Sequence, residues 1–113
     1  MQYLLLIYEN EASRGNVDRK KMHEEYGVFT KSIIESGNFK GGDGLQPTST
    51  ATTVRVKDGK PVTTHGPFAE TREALIGYYS IEAKDLDQAL SIAARVPSAK
   101  VGAIEVRPVM VYN

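Results

Sequence analysis

The run Tyr3-Leu4-Leu5-Leu6-Ile7-Tyr8 limits the fold more than any other feature of the chain. Six apolar positions in succession are too few for a buried helix, and they put apolar side chains on both faces of a strand. That is the pattern of a central strand covered from two sides. Such a strand needs partners on both edges and apolar elements over its faces, and the remaining sequence supplies them. Met22, Tyr26, Phe29 and Ile33 recur at helical spacing and predict an amphipathic helix over residues 17–36, with Asn16 as N-cap and Gly37 as C-terminal stop. After a glycine-rich link, Thr50 to Lys57 reads as a Thr/Val-rich strand. Asp58-Gly59 then makes a two-residue turn into a return strand from Lys60 to Thr64. Leu75 to Glu82 is a further strand. Asp85 to Gln88 has capping-box spacing ahead of a second helix with Leu86, Ala89, Leu90 and Ala93 on one face, ending before Pro97. Ala103 to Tyr112 alternates Ile104, Val106 and Met110 against Glu105 and Arg107, and Pro108 assigns it to an edge or a bulge.

The order strand, helix, hairpin, strand, helix, strand predicts an α+β fold, ferredoxin-like with an extra hairpin strand, as a single domain over residues 1–113. Two helices cover only one face of a sheet, whereas Leu4, Leu6, Tyr78 and Ile104 supply apolar side chains to both. The uncovered face predicts a twofold homodimer with sheets facing each other. The 14 basic and 14 acidic residues cancel, which argues against direct grip on nucleic acid or an anionic membrane. No apolar run approaches the roughly 20 residues that span a bilayer. Cysteine is absent, so thiol nucleophiles, disulfides and thiolate metal sites are excluded. Met1 is followed directly by Gln2 and the apolar strand, without the basic segment and cleavage site of a signal peptide, and the expected location is cytoplasmic.

Chemistry concentrates in few places. His23 and His65 are the only histidines, and imidazole is the side chain that titrates near neutral pH unperturbed. His23 lies beside the apolar stripe of the first helix, either as a helix-surface residue or at a site. His65 opens the rigid bend His65-Gly66-Pro67-Phe68, where Pro67 fixes its own φ and Gly66 reaches dihedrals closed to other residues. The bend is either a strand-ending turn or the wall of a cleft. Glu70 and Glu73 follow it as candidate acid, base or ligand groups, or as solvated charges. Arg72 and Arg107 have the planar fork that holds a carboxylate through two N–H groups, or serve as surface ion pairs. No short histidine spacing supports a metal, and Gly41, Gly42 and Gly44 precede no helix as a phosphate-binding loop does; neither metal nor cofactor is expected.

Several segments in order carry a family resemblance: Leu4 to Tyr8, Gly44-Leu45-Gln46-Pro47, Ala51 to Arg55, Gly66-Pro67-Phe68-Ala69-Glu70-Thr71, Gly77-Tyr78-Tyr79 and Ile104 to Val109. The chain resembles the DGPF-domain branch of the YCII-related proteins over nearly its whole length. The resemblance implies a dimeric α/β-barrel of ferredoxin-like subunits and a bacterial protein of open function, in some relatives linked to extracytoplasmic-function sigma factors. It also implies a histidine and an aspartate in a cleft. His23 stands where such a histidine falls, but His65 replaces the aspartate expected before Gly-Pro-Phe, and Asp43 is the alternative carboxylate to orient His23. The expected function is cofactor-free acid–base chemistry on a small molecule, of isomerase or lyase type. His23 would be the base, His65 or Asp43 would assist, and Arg107, Arg72, Phe68 and Glu70 would line the substrate. The alternative is a non-catalytic interaction or regulatory module.

Overall fold

Strand β1 (Gln2–Glu9) is the spine of the molecule in the computed structural model, which describes residues 1–112. It pairs antiparallel with β5 (Ala74–Glu82) on one edge and with β6 (Ala103–Pro108) on the other, and β2 (Phe39–Gly44) extends the sheet beyond β5. The resulting order β2-β5-β1-β6, with helices α1 (Arg19–Glu35) and α2 (Leu86–Ala94) between strands, is the ferredoxin-like arrangement. Strands β3 (Thr52–Lys57) and β4 (Lys60–His65) pair only with each other, as a hairpin outside the four-stranded sheet.

Alternation along β1 decides what is buried. Tyr3, Leu5 and Ile7 point into a core completed by Phe29 and Ile33 of α1, Ala89, Ile92 and Ala93 of α2, and Ile81 of β5. Leu4, Leu6 and Tyr8 lie on the other face, half-buried in the subunit. The apolar run is therefore covered by helices on one side only.

Several local expectations shift. Asn10 caps a short 3-10 turn, Glu11–Asn16, so α1 starts later than expected, and its N-cap is Asp18, which accepts from Lys21 N at 3.1 Å, rather than Asn16. Gly37, at φ +81°, does stop that helix. The glycine-rich link is strand β2. It carries none of the β-branched residues that mark strands, and at its middle the pairing with β5 is too close to admit a side chain: a Cβ on Gly42 would sit 2.6 Å from Tyr78 O, and one on Gly77 of β5 2.9 Å from Asp43 O. In α2, Asp85 accepts from Gln88 N at 2.8 Å as its spacing predicts, but the buried stripe is Ala89, Ile92 and Ala93, with Leu86 and Leu90 each 47% exposed. Strand β6 ends at Pro108 on an edge, leaving Met110 and Tyr112 beyond it and exposed. Asp58 and Gly59 both take positive φ, as the tight β3-β4 turn requires.

Candidate active site

Between α1 and the β2-β5-β1 part of the sheet lies a cavity of about 530 Å³. That volume falls within the usual range for small-molecule sites. His23, Tyr26 and Thr30 form one row along α1 on its near wall, at offsets of three and four residues that share a helix face. Phe39, Ile76 and Tyr79 make the apolar side from the sheet, and Asp43 and Tyr78 stand at the β2 edge. Glu9, at the end of β1, closes the cavity together with Arg14 from the 3-10 turn and Arg19 from the first turn of α1.

The aromatic wall is fixed by hydrogen bonds. Tyr26 and Tyr79 stack with ring centroids 6.5 Å apart, and Phe39 meets Tyr79 edge-on at 6.3 Å. The Tyr79 hydroxyl shares a 2.6 Å hydrogen bond with Thr30 Oγ1. Burial pushes the phenols of Tyr26 and Tyr79 above their ordinary value, so both remain protonated hydrogen-bonding groups. At the edge, Tyr78 donates to Asp43 Oδ2 at 2.7 Å, and this hydrogen bond, reinforced by the Asp43 charge, raises the Tyr78 phenol. Tyr78 pairs with Leu6 on the helix-free face, so the Asp43 carboxylate is engaged on that side, while His23 opens on the other.

The polar end is built around a buried carboxylate. Glu9 is only 3% exposed because its position continues the inward phase of Tyr3, Leu5 and Ile7. Ser98, wholly buried, donates its single hydroxyl proton to Glu9 Oε2, so it can only accept from Tyr26, whose hydroxyl lies 2.6 Å away. A directed chain thus runs from Tyr26 through Ser98 to Glu9. Two cations flank the same carboxylate: Arg14 Nε at 3.5 Å and Arg19 Nη1 at 3.9 Å from Oε1. Nε and Nη2 of Arg19 are covered and have no hydrogen-bond partner among the described residues. Leaving such donors unmet costs on the order of 1–3 kcal/mol.

Of the residues singled out in the sequence, the cavity brings together His23 and Asp43. His65 ends β4 opposite Thr52 and is exposed, Phe68 is 79% exposed, and Glu70 and Arg72 are exposed between β4 and β5. Arg107 is exposed on β6 opposite Leu4. None of these five lines the cavity of the subunit, so the shared cleft expected for His23 and the His65 bend is not formed within one chain. Glu9, Arg14, Arg19, Tyr26, Thr30 and Tyr79 were not anticipated as site residues. The one legible signal was Glu9, a charge in the inward phase at the end of an apolar strand. Among the described residues, no group of three or more His, Cys, Asp or Glu could hold a metal ion. No helix of the described chain is long and apolar enough to cross a membrane.

Fold and site together define a ferredoxin-like α+β domain with a mixed aromatic and ionic cavity between its first helix and its sheet. The chain belongs to the YCII-related domain family, whose model matches residues 1–113. An uncharacterised protein of Rhizobium meliloti (strain 1021) is 32% identical over 118 residues, spanning 100% of this chain and 95% of the relative. Among solved structures, it is similar to 5-chloro-2-hydroxyhydroquinone dehydrochlorinase from Burkholderia phenoliruptrix in complex with 2,5-dihydroxybenzoquinone. The TM-score is 0.58 at 13% identity, covering 97% of this chain and 94% of that one. At that identity the likeness establishes the fold alone.

Proposed function

We propose that the cavity binds a small molecule and that His23 is its acid–base group, in cofactor-free chemistry of isomerase or lyase type. The observation that carries this reading is the placement of one of only two histidines on the wall of a cavity of small-molecule size, together with an aromatic surface and an ionic cluster around buried Glu9. An imidazole at that position can take a proton from an acidic C–H or O–H and return it to another atom of the same molecule or to a departing group. Asp43, at the cavity edge, serves as a secondary polar group and not as the orienting partner of His23, because its carboxylate is held by Tyr78. The fold is shared with a dehydrochlorinase solved with 2,5-dihydroxybenzoquinone, which makes hydroxyquinones the first compounds to try. Incubation in D2O with 2,5-dihydroxybenzoquinone tests the reading. Ring C–H exchange above the buffer rate is expected for the native protein, with a loss of about 100-fold or more in His23→Ala, the usual contribution of a positioned acid or base. Equal exchange by the native protein and His23→Ala would overturn it.

The site is proposed to work in a homodimeric α/β-barrel with the helix-free sheet faces apposed. In support, the subunit is a slab with extents of 47 × 45 × 18 Å, and Leu4 and Leu6 lie on a face that no helix covers. Val54, Val56 and Val62 of the projecting hairpin and Phe68 after it are also exposed, 42% to 79%.

A further inference from the structure

We propose that Arg14 and Arg19 form an anion-recognition pair that makes this cavity selective for small planar carboxylates. The inference rests on the small-molecule reading of the cavity and names the class of ligand. Two guanidinium groups converge on the single buried carboxylate of Glu9, whose second oxygen is already taken by Ser98. Besides its tyrosines, the titratable and charged residues that line the cavity are Glu9, Arg14, Arg19 and His23, with Asp43 at its edge. Asp43 is exposed at the far edge and bound by Tyr78, so its charge is screened, and the Glu9 end of the cavity retains one positive charge in excess. With Glu9 buried and the two arginines only about a third exposed, that field is less screened than at an open surface.

Arg19 adds direction to the charge. Its Nη1 faces Glu9, while Nε and Nη2, the adjacent edge of the same planar group, have no acceptor among the described residues. That edge has the two-donor geometry that pairs with both oxygens of a carboxylate. Arg19 lines the cavity, and rotation about its outer torsions would present this covered edge to an entering carboxylate. The flat surface of Tyr26 and Tyr79 beside it suits a conjugated ring attached to the carboxylate.

Calorimetric titration of the full-length protein with benzoate, and with benzamide as its neutral counterpart of the same shape, tests the pair. Benzoate is expected to bind saturably, at least about tenfold more tightly than benzamide, and more weakly as salt is raised. Arg14→Gln and Arg19→Gln are each expected to lose about tenfold or more of the benzoate affinity while leaving benzamide unchanged, and Arg19→Lys, which keeps the charge without the fork, to fall between. Because Arg14→Gln and Arg19→Gln each strip a counter-charge from buried Glu9, thermal melts accompany each variant, and Arg19→Lys, which keeps the charge, provides an independent arm. If both compounds bind equally, the cavity is a small-molecule site but the arginines do not select anions. If Arg14→Gln and Arg19→Gln lower the melting temperature and leave benzoate binding intact, the arginines merely neutralise Glu9, and the proposal falls. If neither compound binds the native protein at millimolar concentration, the proposal falls together with the aromatic-ligand form of the cavity reading.

Discussion

Replacing Ser98 by Ala strikes the buried hydroxyl that links Glu9 and Tyr26 behind the cavity wall. The Ser98 hydroxyl is fully buried; it donates to the Glu9 carboxylate and accepts from Tyr26 at 2.6 Å, so one deleted oxygen leaves a buried charge under-bonded and a half-buried phenol without its acceptor. A hydrogen bond to a charged group contributes about 1.5–3 kcal/mol and a neutral one about 1, which puts Ser98→Ala at roughly 2.5–4 kcal/mol of lost stability. In a domain of this size, each kcal/mol moves the melting temperature by about 4 °C, so the expected fall is about 10–16 °C. Urea unfolding followed by circular dichroism measures it, with calorimetry to confirm two-state behaviour. Tyr26→Phe removes only the outer bond and is expected to cost about 1 kcal/mol. In that background, Ser98→Ala is expected to cost about 1 kcal/mol less than alone, because the Tyr26 bond is already gone. A Ser98→Ala penalty under about 0.5 kcal/mol, or one smaller than that of Tyr26→Phe, would refute the directed chain from Tyr26 to Glu9.

Three further outcomes follow from the same geometry. Glu11 accepts from Thr48 Oγ1 at 2.5 Å and Thr48 N at 2.9 Å, and these bonds, the hydroxyl first, hold its carboxyl below the ordinary 4.5. A depressed carboxyl stabilises the fold above its unfolded value, and that contribution is lost as the pH falls through the folded one. The urea midpoint of Thr48→Val should therefore lie below that of the native protein at neutral pH, and the gap should narrow as the pH drops below 4.5; a gap constant with pH would count against the contact. Gly42→Ala places a methyl 2.6 Å from Tyr78 O, and the β2-β5 pairing must open to admit it. A loss of about 1–3 kcal/mol is expected in urea unfolding, and an unchanged midpoint would mean that the strands are not held this closely. Phe68→Ala should convert a dimer to a monomer in sedimentation velocity if the exposed bend after β4 packs against a second copy; an unaltered mass would remove the bend from that interface.

Where local physics decided the outcome, the sequence was legible. The four-three-four spacing of Met22, Tyr26, Phe29 and Ile33, the Asp58-Gly59 turn, the Gly37 stop and the Asp85 cap all recur as expected because each depends on neighbours within a few residues. Strand β2 was not legible, since Gly41, Gly42 and Gly44 have low strand propensity, and of the three only Gly42 is required by the nearness of β5. The site followed the same division. His23, singled out as one of only two histidines and by the family resemblance, lies exposed on α1 at the cavity wall, whereas the cluster of Glu9, Arg14, Arg19, Tyr26 and Ser98 joins positions as far apart as 89 residues, and no local spacing announces it. The bend at His65 drew attention through its backbone chemistry, yet it ends a two-stranded hairpin separate from the four-stranded sheet that helps form the cavity.

The presence of just two histidines permits a direct measurement of the central claim, that the cavity beside His23 is the ligand site. Imidazole C–H resonances, assigned with His23→Ala and His65→Ala, can be followed while 2,5-dihydroxybenzoquinone is titrated into the native protein. The His23 signal is expected to move saturably and the His65 signal to stay in place. A saturable shift of His65 alone, or none at His23 while the compound binds, would contradict the claim.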